Sequence, residues 1–374
     1  MSERMQNETD RLLMCRAMEL AERGKGHVNP NPLVGAVVVL DGEIIGEGWH
    51  ACYGGWHAER NAFRNCKVSP RGATLYVTLE PCCHYGKTPP CTEAILENGI
   101  ARVVIGLKDP NPLVGGKGIE RLRKAGIEVV TGIEEEKLKE QNRIFLKYIT
   151  NRIPWVVLKT AMTLDGKIAA AGGDSKWVTG EAARHRVQEM RSEYMGILVG
   201  AGTVKTDDPL LNCRLGEDRR QPVRIIADSK AAISPDSRIL QTARKYRTLI
   251  AHTEAAPAEY LKRIRECGAE TCACRERGAR VDIPELLSRL GAMGIDSVLL
   301  EGGGELNAAF IREGCVDEVF AFIAPKIIGG KEAKTPVEGS GFRKMEEAVK
   351  LKDIRVEQLG EDILIRGKVQ KREQ

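Results

Sequence analysis

The chain has 374 residues, more than one hydrophobic core usually supports, so two domains are expected. Its hydrophobic content is 42% without any run near the roughly 18 apolar residues a membrane helix needs, which speaks against a membrane partner. The net charge of +5 comes from 57 basic and 52 acidic residues with no concentrated Lys/Arg stripe, which fits a small anionic ligand better than a nucleic acid.

The opening MSERMQNETDR is polar and lacks the apolar stretch of a signal peptide, so a cytoplasmic location is expected. Leu13, Ala17, Leu20 and Ala21 then recur at helical spacing up to Gly24. Leu33 to Leu40 is an apolar run, Asp41 and Gly42 make a hairpin turn, and residues 43 to 48 return as its partner. Beyond this hairpin, helices are predicted from about His57, over 91 to 98 and near 119 to 124. They alternate with strands at 73 to 79, 102 to 107 and 127 to 130, so a layered α/β domain with helices on both sheet faces is expected. A charged helix over about 134 to 147 closes this half. Pro154 breaks the pattern before the strand from Trp155 to Leu158, and the boundary is placed there, giving domains 1–150 and 151–374. Alternation then restarts, with strands near 197 to 199, 224 to 227, 248 to 251, 297 to 300 and 318 to 323, so the second half also reads as α/β.

The hexapeptide PNPLVG begins at Pro30 and again at Pro110 without continuing similarity around it, so it marks two stiff loops rather than a repeat architecture. Both loops could line one pocket, and Asn31, just before the hairpin, is the better candidate of the two asparagines.

Eleven cysteines without an export signal point to thiols and metal ligands rather than disulfides. His57-Ala58-Glu59 places a possible ligand and a carboxylate two residues apart, and PCCHYGKTPPC follows from Pro81 to Cys91. Three ligands on zinc leave a fourth position for a hydrolytic water, and a nearby unbound carboxylate can move its proton. Helix starts at His57 and Cys91 would favour thiolate and carboxylate there. By residue type Cys82, Cys83 and His84 compete for one ligand position. Cys272 and Cys274 form a CxC without a histidine partner, a poor metal site.

The order HxE then PC…C resembles zinc nucleobase deaminases, but eight residues rather than two separate Cys82 from Cys91. The expanded PCxHxGxTPPC resembles the deaminase of riboflavin biosynthesis. That resemblance implies His57, Cys82 and Cys91 as zinc ligands and Glu59 as the proton carrier, with Cys83 buried. Asn31 and His84 become candidate substrate contacts, with His50 and Lys87 weaker ones.

In the second half, LKTAMTLDGKIA from 158, SKWVTG from 175, GILVGAGTVKTDDPLLNCR from 196 and LLEGGGELN from 299 resemble the reductase of the same pathway. Its fold is similar to dihydrofolate reductase. On their own these segments fail the Rossmann fingerprint, since no third glycine follows Gly200 and Gly202 three residues later. Gly302 to Gly304 read either as a tight turn or as a phosphate cradle at a helix start. The resemblance implies NADPH as a cofactor. Its expected contacts are Ala161, Trp177, Thr203, Asp207, Ser229, Gly303, Gly304, Glu305, Leu306 and Asn307. Ser175, Arg191, Leu211, Arg214 and Glu301 become substrate contacts, with the arginines suited to phosphate. Lys159 and Asp207 are candidates for proton handling at the ribose. Tyr194, Met195 and Gly196 depart from the acidic-then-small pattern common there, away from these positions.

The expected fold is therefore a cytidine-deaminase-like three-layer α/β/α domain followed by a dihydrofolate-reductase-like α/β domain. The expected substrate is a small phosphorylated pyrimidine of riboflavin biosynthesis, handled by a homo-oligomer with Zn2+ and NADPH. Two rivals predict other features. A nucleoside or nucleic-acid deaminase fused to an α/β domain would, on nucleic acid, need a basic channel and stacking aromatics, yet aromatics make up 5%. A non-catalytic zinc scaffold or ligand sensor would have no use for Glu59.

Overall fold

The structure is a computed structural model that describes residues 3–85, 89–111, 115–216 and 219–370. It divides into two compact units, Met1–Arg152 and Ile153–Gln374. No helix among the described residues is long and apolar enough to cross a membrane.

The first unit runs α1 (Glu3–Glu22), β1 (Gly35–Leu40), β2 (Glu43–Trp49), α2 (Ala58–Arg64), β3 (Thr74–Leu79), α3 (Cys91–Glu97), β4 (Arg102–Leu107), α4 (Lys117–Lys124), β5 (Glu128–Thr131), α5 (Glu135–Gln141) and α6 (Arg143–Asn151). Its sheet has the order β2-β1-β3-β4-β5. Asp41 and Gly42, at φ 52° and 83°, form the hairpin turn between β1 and β2, the left-handed pair that a two-residue hairpin demands. One sheet face packs Met14, Ala17, Leu20 and Leu138 against Val37, Tyr76 and Val104. The other packs Ala58, Ala62, Ile95 and Leu122 against Val38, Leu75 and Val103. The helical pattern over 134 to 147 resolves into two helices parted at Asn142. The buried Asn142 side chain accepts from Leu33 N at 2.8 Å and donates to Leu33 O at 3.0 Å. It thereby pairs the backbone of the first PNPLVG loop, an obligation no helical periodicity reveals.

Asp10 on α1 anchors this unit. Arg102 donates to both of its oxygens (2.9 and 2.8 Å), and Tyr76 Oη donates to Oδ1 at 2.8 Å. Burial pushes the Asp10 carboxyl up, but Arg102, Tyr76 and Gln6 outweigh it and hold it below its ordinary value.

The second unit runs β6 (Trp155–Thr163), α7 (Glu181–Glu193), β7 (Gly196–Gly200), α8 (Ala201–Asp207), β8 (Val223–Ala227), α9 (Arg238–Gln241), β9 (Thr248–His252), α10 (Ala258–Glu266), β10 (Glu270–Ala273), β11 (Glu276–Arg277), β12 (Arg280–Val281), α11 (Ile283–Ala292), β13 (Ser297–Leu300), α12 (Gly304–Arg312), β14 (Glu318–Ala324), β15 (Leu351–Leu359) and β16 (Asp362–Val369). Nine strands form one sheet in the order β10-β9-β8-β7-β13-β6-β14-β16-β15, parallel except where β16 pairs β14 and β15. Leu286, Leu290 and Phe310 cover one face, and Val204, Ile239, Leu240 and Ile264 the other. The closing hairpin β15/β16 has no counterpart among the strands expected from sequence. Strand β15 is almost wholly exposed, and its register shifts between Lys352 and Arg355 around Asp353, at φ 54°. An edge strand with a bulge loses the alternation that announces a strand.

Asp10→Asn is expected to lower stability toward urea at pH 7 by about 1–3 kcal/mol. A carboxyl with a depressed native pKa stabilises above its unfolded value and loses that contribution as pH falls through its folded one. The difference between the two proteins therefore shrinks as pH drops below about 4, and a pH series of urea midpoints checks this.

Candidate metal centre and companion site

The candidate metal centre is built on a close helix–strand approach. A Cβ on Gly46 would lie 2.5 Å from Ala62 O, and one on Gly48 would lie 2.5 Å from Ala58 O. The glycines of β2 thus let α2 settle onto the sheet. His57 caps α2 in extended conformation (φ −72°, ψ 161°) rather than opening it, and Glu59 lies in its first turn. Cys82 follows β3, and Cys91 is the first residue of α3. Arg60 donates from Nη2 to Pro90 O at 3.1 Å and from Nε to Pro89 O at 3.3 Å, tying α2 to the Pro-Pro step before Cys91.

His57 Nδ1 lies 3.5 Å from Cys82 Sγ and 3.3 Å from Cys91 Sγ. Tetrahedral zinc with Zn–S near 2.3 Å and Zn–N near 2.0–2.1 Å requires N···S spacings of about 3.5 Å, so the three side chains fit the ion. It is the one cluster of three or more such residues among those described. The Cys91 N–H donates to Cys82 Sγ at 3.3 Å, and Thr92 N donates to Cys82 O at 3.1 Å. Cys91's thiol hydrogen bond, joined by His57 and this N–H against the cost of burial, pushes the Cys82 thiol down to about 4. Cys91, bonded to Cys82 and buried, is pushed up. Glu59 is 3% exposed, and burial pushes its carboxyl up despite the His57 charge.

Beside the ligands, His50 is buried and its ring meets the His57 ring edge-on at 5.6 Å. The Trp56 carbonyl can only accept, so His50 Nδ1 carries the proton at 3.1 Å and Nε2 accepts from Asn31 Nδ2, also at 3.1 Å. Burial lowers the His50 pKa, in keeping with this neutral tautomer. The sequence-predicted Asn31 and His50 therefore form one hydrogen-bonded unit next to the ligands. Cys83 is half-buried rather than buried, and His84 is exposed. Lys87 lies outside the described residues.

In the second unit, Lys159 on β6, Arg191 on α7 and Glu301 after β13 converge. Lys159 Nζ lies 2.9 Å from Glu301 Oε2, and Arg191 Nε and Nη2 donate to the two Glu301 oxygens at 2.9 and 3.0 Å. Burial pushes the Glu301 carboxyl up, yet Arg191 and Lys159 hold it well below its usual range. Arg191 Nη1 also donates to Asn212 O at 3.3 Å, fixing the segment after α8.

That segment is pinned from below by Arg224, fully buried on β8. Its guanidinium donates to Leu210 O, Ile239 O, Tyr246 O and the Thr242 and Thr248 hydroxyls, at 2.6–3.2 Å. Desolvation pushes it down to about 10. Leu211 takes φ 51° and sinks its side chain into the core, leaving backbone for any ligand contact. Arg214 is exposed, its N–H donating to Gln188 Oε1 at 2.9 Å.

The Gly302-Gly303-Gly304 turn leads into α12 beside α8, where a Cβ on Gly303 would lie 3.9 Å from Thr203 Oγ1. Leu306 is half-buried, and Glu305 faces Arg280 at 3.3 Å. Asn307, expected as a cofactor contact, directs its amide to Gly302 O (3.1 Å) and Pro336 O (2.8 Å), and so braces the glycine turn. The Ser229 hydroxyl accepts from Val281 N at 2.9 Å. Trp177 is exposed with Arg184 4.8 Å above its ring, and Ser175 and Ala161 are half-buried. Asp207 is exposed at the end of α8. Arg60, Asn142 and Arg224 escaped the sequence reading because each acts through backbone carbonyls or amides distant in the chain.

Residues 7–107 match the cytidine and deoxycytidylate deaminase zinc-binding region, and residues 154–365 match the RibD C-terminal domain. The chain is 51% identical to riboflavin biosynthesis protein RibD of Actinobacillus pleuropneumoniae over 96% of its length and 94% of that protein. It is 38% identical to the protein of that name from Escherichia coli K12, over 95% and 98%. Among solved structures, Acinetobacter baumannii RibD superimposes with TM-score 0.88 at 37% identity, covering 98% of this chain and 100% of that one. A Thermotoga maritima diaminohydroxyphosphoribosylaminopyrimidine deaminase/5-amino-6-(5-phosphoribosylamino)uracil reductase gives 0.85 at 41% identity, covering 97% and 99%.

One zinc per chain is expected by elemental analysis. Cys91→Ser should weaken zinc binding by more than about 100-fold in chelator competition, beyond the usual loss from an outer-sphere change.

Proposed function

Because the chain belongs to the RibD family of riboflavin biosynthesis proteins, we propose a role for each of its two sites. The enzyme is bifunctional. It hydrolytically deaminates 2,5-diamino-6-(5-phosphoribosylamino)pyrimidin-4-one and then reduces the ribosyl side chain with NADPH, giving 5-amino-6-(5-phosphoribitylamino)uracil.

In the first unit, His57, Cys82 and Cys91 hold zinc, and the observation that carries this reading is their mutual spacing with buried Glu59 alongside. Zinc held there supplies a hydrolytic nucleophile at neutral pH. Glu59 takes a proton from the attacking water and delivers it to the leaving amine, a role suited to a carboxyl raised by burial. Asn31, with His50 holding its amide, orients the pyrimidine, and exposed His84 meets the phosphate end.

In the second unit, NADPH supplies the hydride. Gly303, Gly304, Glu305 and Leu306 offer backbone N–H groups at the start of α12 to the cofactor's diphosphate, with Thr203 facing that turn. Ala161, Trp177, Asp207, Ser229 and Asn307 complete the cofactor site, Asn307 by bracing the turn. Arg191 and Lys159, oriented by Glu301, receive the phosphorylated substrate together with Ser175, Arg214 and the Leu211 backbone. Lys159 is the proton source at the ribose oxygen as hydride reaches the neighbouring carbon, and its contact with Glu301 supports that role over exposed Asp207. The proposal extends to a homo-oligomer, supported by exposed Ile354 and Val356 on edge strand β15. It also extends to the cytoplasm, supported by eleven free cysteines. A small-molecule role without nucleic acid is supported by the scarcity of aromatics.

Glu59→Gln should cut ammonia release by about 100-fold or more while NADPH oxidation on supplied deaminated substrate continues. Following ammonia and NADPH separately checks this, and loss of both or of neither overturns the two-site assignment.

A further inference from the structure

Of the second PNPLVG motif, residues 112–114 lie outside the described residues, and the chain on both sides of them is tied down by Glu80, two residues before Cys82. Glu80 ends β3, its N–H donating to Leu107 O at 2.9 Å, and only 4% of the residue is exposed. Its carboxylate turns toward the chain that leaves β4. Oε2 accepts from Gly116 N at 2.9 Å and Asp109 N at 3.3 Å, and Oε1 accepts from Gly118 N at 3.0 Å and Ile119 N at 3.2 Å. Four backbone donors on one buried carboxylate satisfy a charge that would otherwise be costly there. They also cap α4, whose Gly116 cap has no side chain. The contact is close as well as polar, since a Cβ on Gly118 would collide with Pro81 O. Asp109 adds a turn of its own, accepting from Asn111 N at 2.8 Å.

We infer that Glu80 is a positioning residue of the deaminase: it clamps Asp109 and the start of α4 against the Pro81-Cys82 stretch, and so positions the described chain at 109–111 and 115–119 for the substrate of that site. The inference rests on the reading of His57, Cys82 and Cys91 as the zinc site. Glu80 is not part of the His57, Cys82 and Cys91 cluster. Its influence passes through the backbone of Asp109, Gly116, Gly118 and Ile119 on one side and its covalent link to Pro81 on the other. An amide in place of the carboxylate cannot serve both pairs of donors, because its nitrogen donates.

The test uses zinc-loaded, full-length Glu80→Gln. The expected result is amide hydrogen exchange at 115–119 faster by about ten-fold or more, with exchange elsewhere in 3–152 unchanged. The deamination KM should rise about ten-fold or more while kcat changes little. Zinc content and NADPH oxidation on deaminated substrate should remain as in the parent. Gly118→Ala, which keeps Glu80 but drives a Cβ into Pro81 O, should give the same KM-weighted loss. Unchanged KM and local exchange in Glu80→Gln overturn the inference. So does loss of zinc with faster exchange throughout 3–152, and so does an unfolded Glu80→Gln accompanied by a Gly118→Ala enzyme of parental KM. Glu59→Gln assayed in parallel separates the two readings, since retained ammonia release there would fault the zinc site itself.

Discussion

The candidate metal centre of His57, Cys82 and Cys91 comes together because α2 can lie closer to β2 than a side chain would allow. Gly46 and Gly48 have no Cβ to collide with Ala62 and Ala58, so the start of α2 comes within ligand distance of the start of α3. His57 reaches Cys91 at 3.3 Å across this approach. Arg60 reinforces it by holding the two proline carbonyls that precede Cys91. Ligand geometry here is thus a property of backbone packing, and the side chains inherit it.

Each unit also contains a buried charge resolved in a different way. Glu80 is matched by four peptide N–H groups, Glu301 by two cations, and Arg224 by neutral oxygens alone. An unmatched buried charge would be far less tolerable than any of these arrangements. All three stand next to segments assigned to a site. Glu80 and Arg224 hold irregular chain in place at Asp109, Gly116 and Leu210, whereas Glu301 ties β6 to α7 through Lys159 and Arg191.

Much of this was legible in the amino-acid sequence, for identifiable reasons. The hairpin at Asp41-Gly42 was evident because left-handed backbone restricts residue choice. The gathering of His57, Cys82 and Cys91 was evident because HAE and PCCHYGKTPPC carry chemistry in a fixed order, and both enzyme classes followed from motif resemblance. The break at Asn142 was hidden, since the helical pattern runs through it and its cause lies at Leu33, far off in the chain. The hairpin β15/β16 was hidden because an exposed, bulged edge strand shows no period of two. Roles for Asn307 and Ser229 were assigned by motif position, whereas their side chains prove to be engaged with backbone. Sequence marks which residues gather at a site better than it marks which of them face outward.

Arg224 limits the kinds of change this molecule can absorb. Its acceptors are carbonyls and hydroxyls spread around a plane, and they come from Leu210, Ile239, Thr242, Tyr246 and Thr248. Lysine would preserve the positive charge yet present a single nitrogen to a ring of oxygens set for a flat, forked group. The identity of this residue is thus dictated by shape rather than by sign, and the loop bearing Leu211 and Arg214 is tied to the interior through Leu210 O. Drift in that loop is restrained by an interior residue that no comparison of surface pockets would bring to notice.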